Sequence, residues 1–149
     1  MLPPKFSSAF VLFLFFVTAA LIGMLPNAEG SALSPGSASP SNLLDGRSFV
    51  AQSGEKGKQA SNKDTIVFRN GRFLSEGCKP YGFGDASYQA TVDGPAIQFH
   101  AETQSPTHGT MVWDGVVRDD TIEVTSTWTR KRWYWNIKKE YWYKGQLKE

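Results

Sequence analysis

The chain has 149 residues, a formal net charge of +2, 40% hydrophobic residues and a single cysteine. That length suits one domain, and one cysteine excludes an internal disulfide and an all-cysteine metal centre. A nearly neutral chain supplies no long-range field that would gather a nucleic acid.

The hydrophobic share is unevenly spread. Residues 9–25, AFVLFLFFVTAALIGML, carry no charge; they follow Lys5 and lead to Pro26-Asn27, then to Ala28 and Gly30 before Ser31. This is the layout of a secretory signal peptide over residues 1–30. An uncleaved membrane anchor is the alternative, because 17 apolar residues reach the lower edge of a bilayer span. Either way the protein is expected outside the cytoplasm, periplasmic or extracellular. Residues 31–42, SALSPGSASPSN, have too little apolar surface to pack and read as a flexible tether. The remaining 107 residues, 43–149, suffice for one modest core.

From Leu43 onward no window has helical periodicity, while alternation bounded by turn residues recurs throughout. An opening strand falls near Arg47–Gln52. In TIVFRNGRFL, Asn70-Gly71 provides the two left-handed positions of a tight hairpin, pairing Arg69 with Arg72, Phe68 with Phe73 and Val67 with Leu74. Residues 75–84, rich in turn formers, are the least strand-like. Asp93-Gly94-Pro95 closes a hairpin that sets Tyr88, Ala90 and Val92 beside Ile97, Phe99 and Ala101. A third hairpin turns at Asp119-Asp120 and pairs Val117 with Ile122, Gly115 with Val124, Trp113 with Ser126 and Met111 with Trp128. A closing strand near Lys138–Gly145 brings the total to about eight. The fold class is therefore all-β, an antiparallel up-and-down meander forming a small closed or nearly closed barrel. A small β-sandwich is the alternative, and short sequential loops favour the barrel.

The opening Leu44-Asp45-Gly46-Arg47-Ser48-Phe49, the stretch WDGVVRDDTI from Trp113 and the closing EYWYKG from Glu140 resemble small exported bacterial proteins of the lipocalin-like, or calycin-like, kind. The chain is shorter than a typical lipocalin and has Gly46-x-x-Phe49 where that family has Gly-x-Trp. The resemblance implies a binding module, with a barrel interior that is either filled or holds one small ligand.

Catalytic signals are weak. His100 shares a strand face with Gln98 and Glu102, which is half of an acid–base pair or of a metal site without a third ligand. His108 lies in a turn, and no serine stands on a nucleophile elbow. GEKGK from Gly54 lacks phosphate-loop spacing and reads as a hairpin tip. No catalytic residue, metal or cofactor is expected. Cys78 reads either as a buried apolar plug or as a thiol made reactive by Lys79. Tyr81 and Phe83 beside it, on a Gly-x-Gly backbone, cap one barrel mouth or form a recognition loop.

The strongest signal is compositional. Seven of the ten Trp and Tyr lie between Trp128 and Tyr143, among Arg130, Lys131, Arg132, Lys138, Lys139 and Lys144, with Glu140 as the only acid. Alternation sends Tyr141 and Tyr143 to one face and Trp142 to the other, and the consecutive Trp133, Tyr134 and Trp135 cannot all point inward. The candidate binding residues are thus Tyr81, Phe83, Trp113, Trp128, Arg130, Arg132, Trp133, Tyr134, Trp135 and Trp142. The expected function is a non-enzymatic exported binding protein, monomeric, taking a small apolar ligand in the barrel or an anionic lipid or glycan at the basic aromatic patch. A protein partner gripped by the aromatic loops is the alternative. Export argues against nucleic acid.

Overall fold

Asn70 and Gly71 take φ of 55° and 70°, the left-handed pair that a two-residue hairpin needs. Around them Arg69 faces Arg72, Phe68 faces Phe73 and Val67 faces Leu74. A computed structural model describes residues 42–149, so the leader and all but the last residue of the tether lie outside the described residues. The strands are β1 (Ser48–Glu55), β2 (Asn62–Arg69), β3 (Arg72–Ser75), β4 (Ala86–Asp93), β5 (Ala96–Ser105), β6 (Gly109–Arg118), β7 (Thr121–Lys131) and β8 (Asn136–Leu147). A 3₁₀ helix, η1 (Glu76–Tyr81), sits between β3 and β4. Each strand pairs antiparallel with the next, and β8 returns to β1, so the sheet closes as a barrel rather than splitting into a sandwich. The expected pairings of the 93–95 and 119–120 hairpins are also found, with Gly94-Pro95 as the turn of the former.

Closure depends on a bare backbone at the seam. Gly145 stands opposite Ala51, and a Cβ there would lie 2.7 Å from the Val50 carbonyl oxygen. The first and last strands are each longer than the sequence alone suggests, which adds hydrogen bonds along that seam.

One end of the barrel is packed solid. Phe68 is surrounded edge-on by Phe49, Phe73, Tyr88 and Phe99, with ring centroids 4.9–6.3 Å apart. These T-shaped contacts set the positive ring edge against the negative face of a neighbour. The column continues through Phe73 to Trp113 (5.0 Å) and on to Tyr143 (5.2 Å). Below it the turn around Leu44 plugs the barrel, with Leu44 fully buried. The plug is tied down by polar bonds: the Tyr88 hydroxyl accepts from the Leu44 amide and donates to Asp45 Oδ1, while the Asp45 carboxylate accepts the Gly71 amide. Arg47 lies over the Phe49 ring and donates to the Asp119 carbonyl, joining the plug to the β6–β7 turn.

Because Phe68 is the hub of four ring contacts, Phe68→Ala is expected to cost about 3–5 kcal/mol, and Tyr88→Phe about 1–2 kcal/mol through the unsatisfied Asp45 and Leu44 groups. Urea unfolding of both variants measures this. A loss for Phe68→Ala no larger than that for Tyr88→Phe contradicts the hub.

Candidate functional site

The opposite end of the barrel is not filled. Inward positions that carry aromatics near Leu44 become small or polar toward the other end: Ser53 on β1, Asp64 on β2, Ser75 on β3, Thr103 and Ser105 on β5, Ser126 on β7, all buried. The result is a cavity of about 380 Å³, within the range of small-molecule sites. Its wall includes Ser53, Lys63, Asp64, Cys78, Met111, Trp128, Tyr141 and Tyr143, with Tyr81, Phe83 and His108 from η1 and the loops.

Helix η1 forms the rim on one side. Gly82, in the left-handed region, ends the helix and donates back to Lys79. Ser105 fastens it: Oγ donates to the Tyr81 carbonyl (2.7 Å) and accepts the His108 amide (3.0 Å). His108 meets the Tyr81 ring edge-on, and its carbonyl accepts from Trp128 Nε1 at 2.6 Å. The segment around Cys78 is therefore a cap, one of the two roles its composition allowed.

Asp64 is the buried charge-bearing group of this cavity, at 7% exposure. Ser75 Oγ donates to one carboxylate oxygen (2.5 Å) and the Gly77 amide to the other (2.6 Å). Gly77 is needed for that approach, since a Cβ there would fall 3.0 Å from the carboxylate. Among the described residues no Lys, Arg or His reaches within 4 Å of Asp64. Lys63 beside it is exposed, as strand alternation requires.

Burial favours the neutral forms of Cys78, Tyr141 and Tyr143 on the wall. Burial pushes the Cys78 thiol up to about 11, with the Asp64 charge adding and the Ser75 hydrogen bond opposing. Lys79 does not activate it, because its ammonium pairs with Glu76 at 2.6 Å. The thiol instead contacts Met111 Sδ at 3.7 Å, the plug reading. Tyr143 is raised by burial first, then by Cys78 and Asp64, and Tyr141 by burial and the Glu55 charge. Asp64 is the one carboxylate on the wall, and neither Lys63 nor His108, on the same wall, pairs with it.

The other candidates are scattered by the fold. Trp113 is fully buried in the aromatic column, its Nε1 donating to Thr103, away from the cavity. Trp142 lies on the outer face and covers the β1–β2 loop through Nε1 to the Lys58 carbonyl. Gly54 and Glu55, read as part of a hairpin tip, belong to β1, and Gly54 lies under the Trp142 ring. Arg130, Arg132, Trp133, Tyr134 and Trp135 belong to a projecting arm. Thr129 is the last residue of β7 paired to β6, and Tyr141 is the first of β8 paired to β1. Residues 130–139 thus extend past the barrel as a two-stranded hairpin closed by the Arg132 amide to the Trp135 carbonyl.

At its tip Trp133 is 92% exposed, Tyr134 57% and Trp135 46%. The three rings stack edge-on at 4.4 and 3.9 Å, and the Arg132 guanidinium lies 5.9 Å over Trp135. Lys138 pairs with Glu140 and Lys139 with Glu55, whereas no carboxylate among the described residues comes within 4 Å of Arg130, Lys131 or Arg132.

On the outer face His100 pairs with Asp114 across the β5–β6 ladder, Nδ1 to Oδ1 at 2.7 Å. Glu102, the expected partner, accepts from Gln104 instead. The pair is solvent-exposed, and among the described residues no three His, Cys, Asp or Glu side chains gather as metal ligands.

Raised thiol and phenol values make stability fall in alkali. The unfolded chain loses its cysteine proton near 9.0 and its tyrosine protons near 10.0, while the folded one keeps Cys78 protonated to about 11 and Tyr88 to about 12. Above about pH 9 the unfolded state therefore binds fewer protons, and stability declines with rising pH. Urea midpoints taken from about pH 8 to about pH 11 are expected to drop steadily, and a level series contradicts the buried neutral groups. The chain matches no protein-family model, no curated protein and no solved structure.

Proposed function

We propose that this chain is an exported, non-enzymatic binding module whose β7–β8 arm settles on an anionic lipid surface of the cell envelope. The observation that carries this reading is the tip itself: Trp133, Tyr134 and Trp135 are exposed together at the end of the only hairpin that projects past the described barrel. Leaving three large aromatic rings in water is unfavourable, and Trp and Tyr find their preferred environment at a lipid headgroup boundary. Arg130, Lys131 and Arg132 stand beside them without carboxylate partners, and each such cation contributes about 1 kcal/mol at an anionic membrane surface. The barrel supports the arm as a rigid base. Its closed barrel with one aromatic-filled end is compatible with binding in the lipocalin-like manner. The apolar N-terminal run agrees with a location where such a surface is met.

Sedimentation with vesicles tests it. Vesicles containing phosphatidylglycerol are expected to pull the described domain down, and phosphatidylcholine vesicles are not. Replacing Arg130, Lys131 and Arg132 by Gln should weaken binding about 100-fold, the equivalent of about 3 kcal/mol. Trp133→Ala should weaken it about tenfold with little change in stability, since the side chain makes no core contact. Equal binding to both vesicle types, or binding unaffected by these changes, overturns the reading and favours a protein partner for the same tip.

A further inference from the structure

The cavity is lined by no residue of the arm, and its buried charge-bearing group is a carboxylate. We propose that it is a binding site for a small organic ammonium ion bearing an apolar group, with the ammonium held by Asp64 and the apolar part resting among Met111, Trp128 and Tyr141.

Three features of the wall converge on that class. First, the Asp64 oxygens each accept one hydrogen bond from the protein, and a carboxylate oxygen has room for another. Asp64 thus lines, with acceptor capacity to spare, a cavity whose two basic wall residues, Lys63 and His108, both stay more than 4 Å from its carboxylate. Second, the rings of Trp128, Tyr141 and Tyr143 line the same volume, and aromatic faces attract organic cations while also covering an apolar group. Third, the volume of about 380 Å³ holds a molecule of a dozen or so heavy atoms rather than a long acyl chain.

Other ligand classes fit less well. A purely apolar molecule would remove water from Asp64 and give it nothing, leaving a buried carboxylate short of hydrogen bonds. An anion would be repelled by Asp64 in a region of low dielectric constant. A neutral alcohol satisfies one acceptor position and leaves the charge uncompensated. An ammonium ion supplies up to three donors and the missing charge, and such charge-assisted bonds are the stronger kind.

The site lies in the described barrel and does not depend on the lipid-surface reading. Titration calorimetry of the full chain with 4-phenylbutylammonium and with 4-phenylbutan-1-ol, two probes of nearly equal shape, tests it. The ammonium probe is expected to bind at least about tenfold more tightly than the alcohol. Asp64→Asn should abolish that preference, while Glu123→Gln, on the exposed face of β7 and outside the cavity wall, leaves it unchanged. Equal binding of the two probes, tighter binding of the alcohol, no heat with either, or a preference that survives in folded Asp64→Asn each overturns the proposal. If Asp64→Asn fails to fold, the probe pair on the unaltered protein still decides the matter.

Discussion

The edge-on packing of rings around Phe68 is the interaction on which the rest of this barrel depends. Eight strands enclose a space only a few side chains wide, and how that space is occupied decides what the protein can do. Five aromatic rings, those of Phe49, Phe68, Phe73, Tyr88 and Phe99, consume it at one end. Large rigid rings there allow the inward positions farther along the same strands to be serine, threonine and aspartate without loss of the fold. Solid packing and an empty chamber are two consequences of one unequal distribution of side-chain volume.

The polar fastenings follow the same division. At the filled end, Tyr88, Asp45 and the Gly71 amide lock the Leu44 plug in place. At the hollow end, Ser105 pins η1 to the β5–β6 turn and Asp64 grips it from below through Ser75 and Gly77. Both ends use hydroxyl and carboxylate groups as clamps. The difference is one of place. Asp45 takes the Gly71 amide and the Tyr88 phenol at the plugged end, while Asp64 takes the Ser75 hydroxyl and the Gly77 amide on the wall of the cavity.

Much of the barrel was legible in the chain because its turns carry strong local instructions. Asn70-Gly71 sets one register through its left-handed pair, and Asp119-Asp120 sets another, from which the inward face of each hairpin follows by alternation. The hollow interior is not legible from apolar alternation, because the inward positions around it are serine, threonine and aspartate. Continuing the period from Phe68 and Ile66 reaches Asp64, and this was the available signal for the buried carboxylate. The partner of His100 was missed for a different reason: Glu102 is its neighbour along the strand, but Asp114 is its neighbour across the β5–β6 ladder, whose register the sequence does not encode locally. The crowding of aromatics after Trp128 was visible, yet it divides among four fates. Tyr143 joins the core, Trp128 and Tyr141 the cavity wall, Trp142 the outer face and residues 133–135 the tip.

The outer part of the arm, residues 130–137, pairs only with itself. No ring of the aromatic column and no strand of the closed seam relies on it, so substitutions, insertions or deletions there leave the folding free energy of the barrel nearly untouched. The molecule is thereby divided into a part on which selection for foldability acts and a part on which it scarcely does. The side chains at the tip can change in size, charge or number while the chamber stays the same.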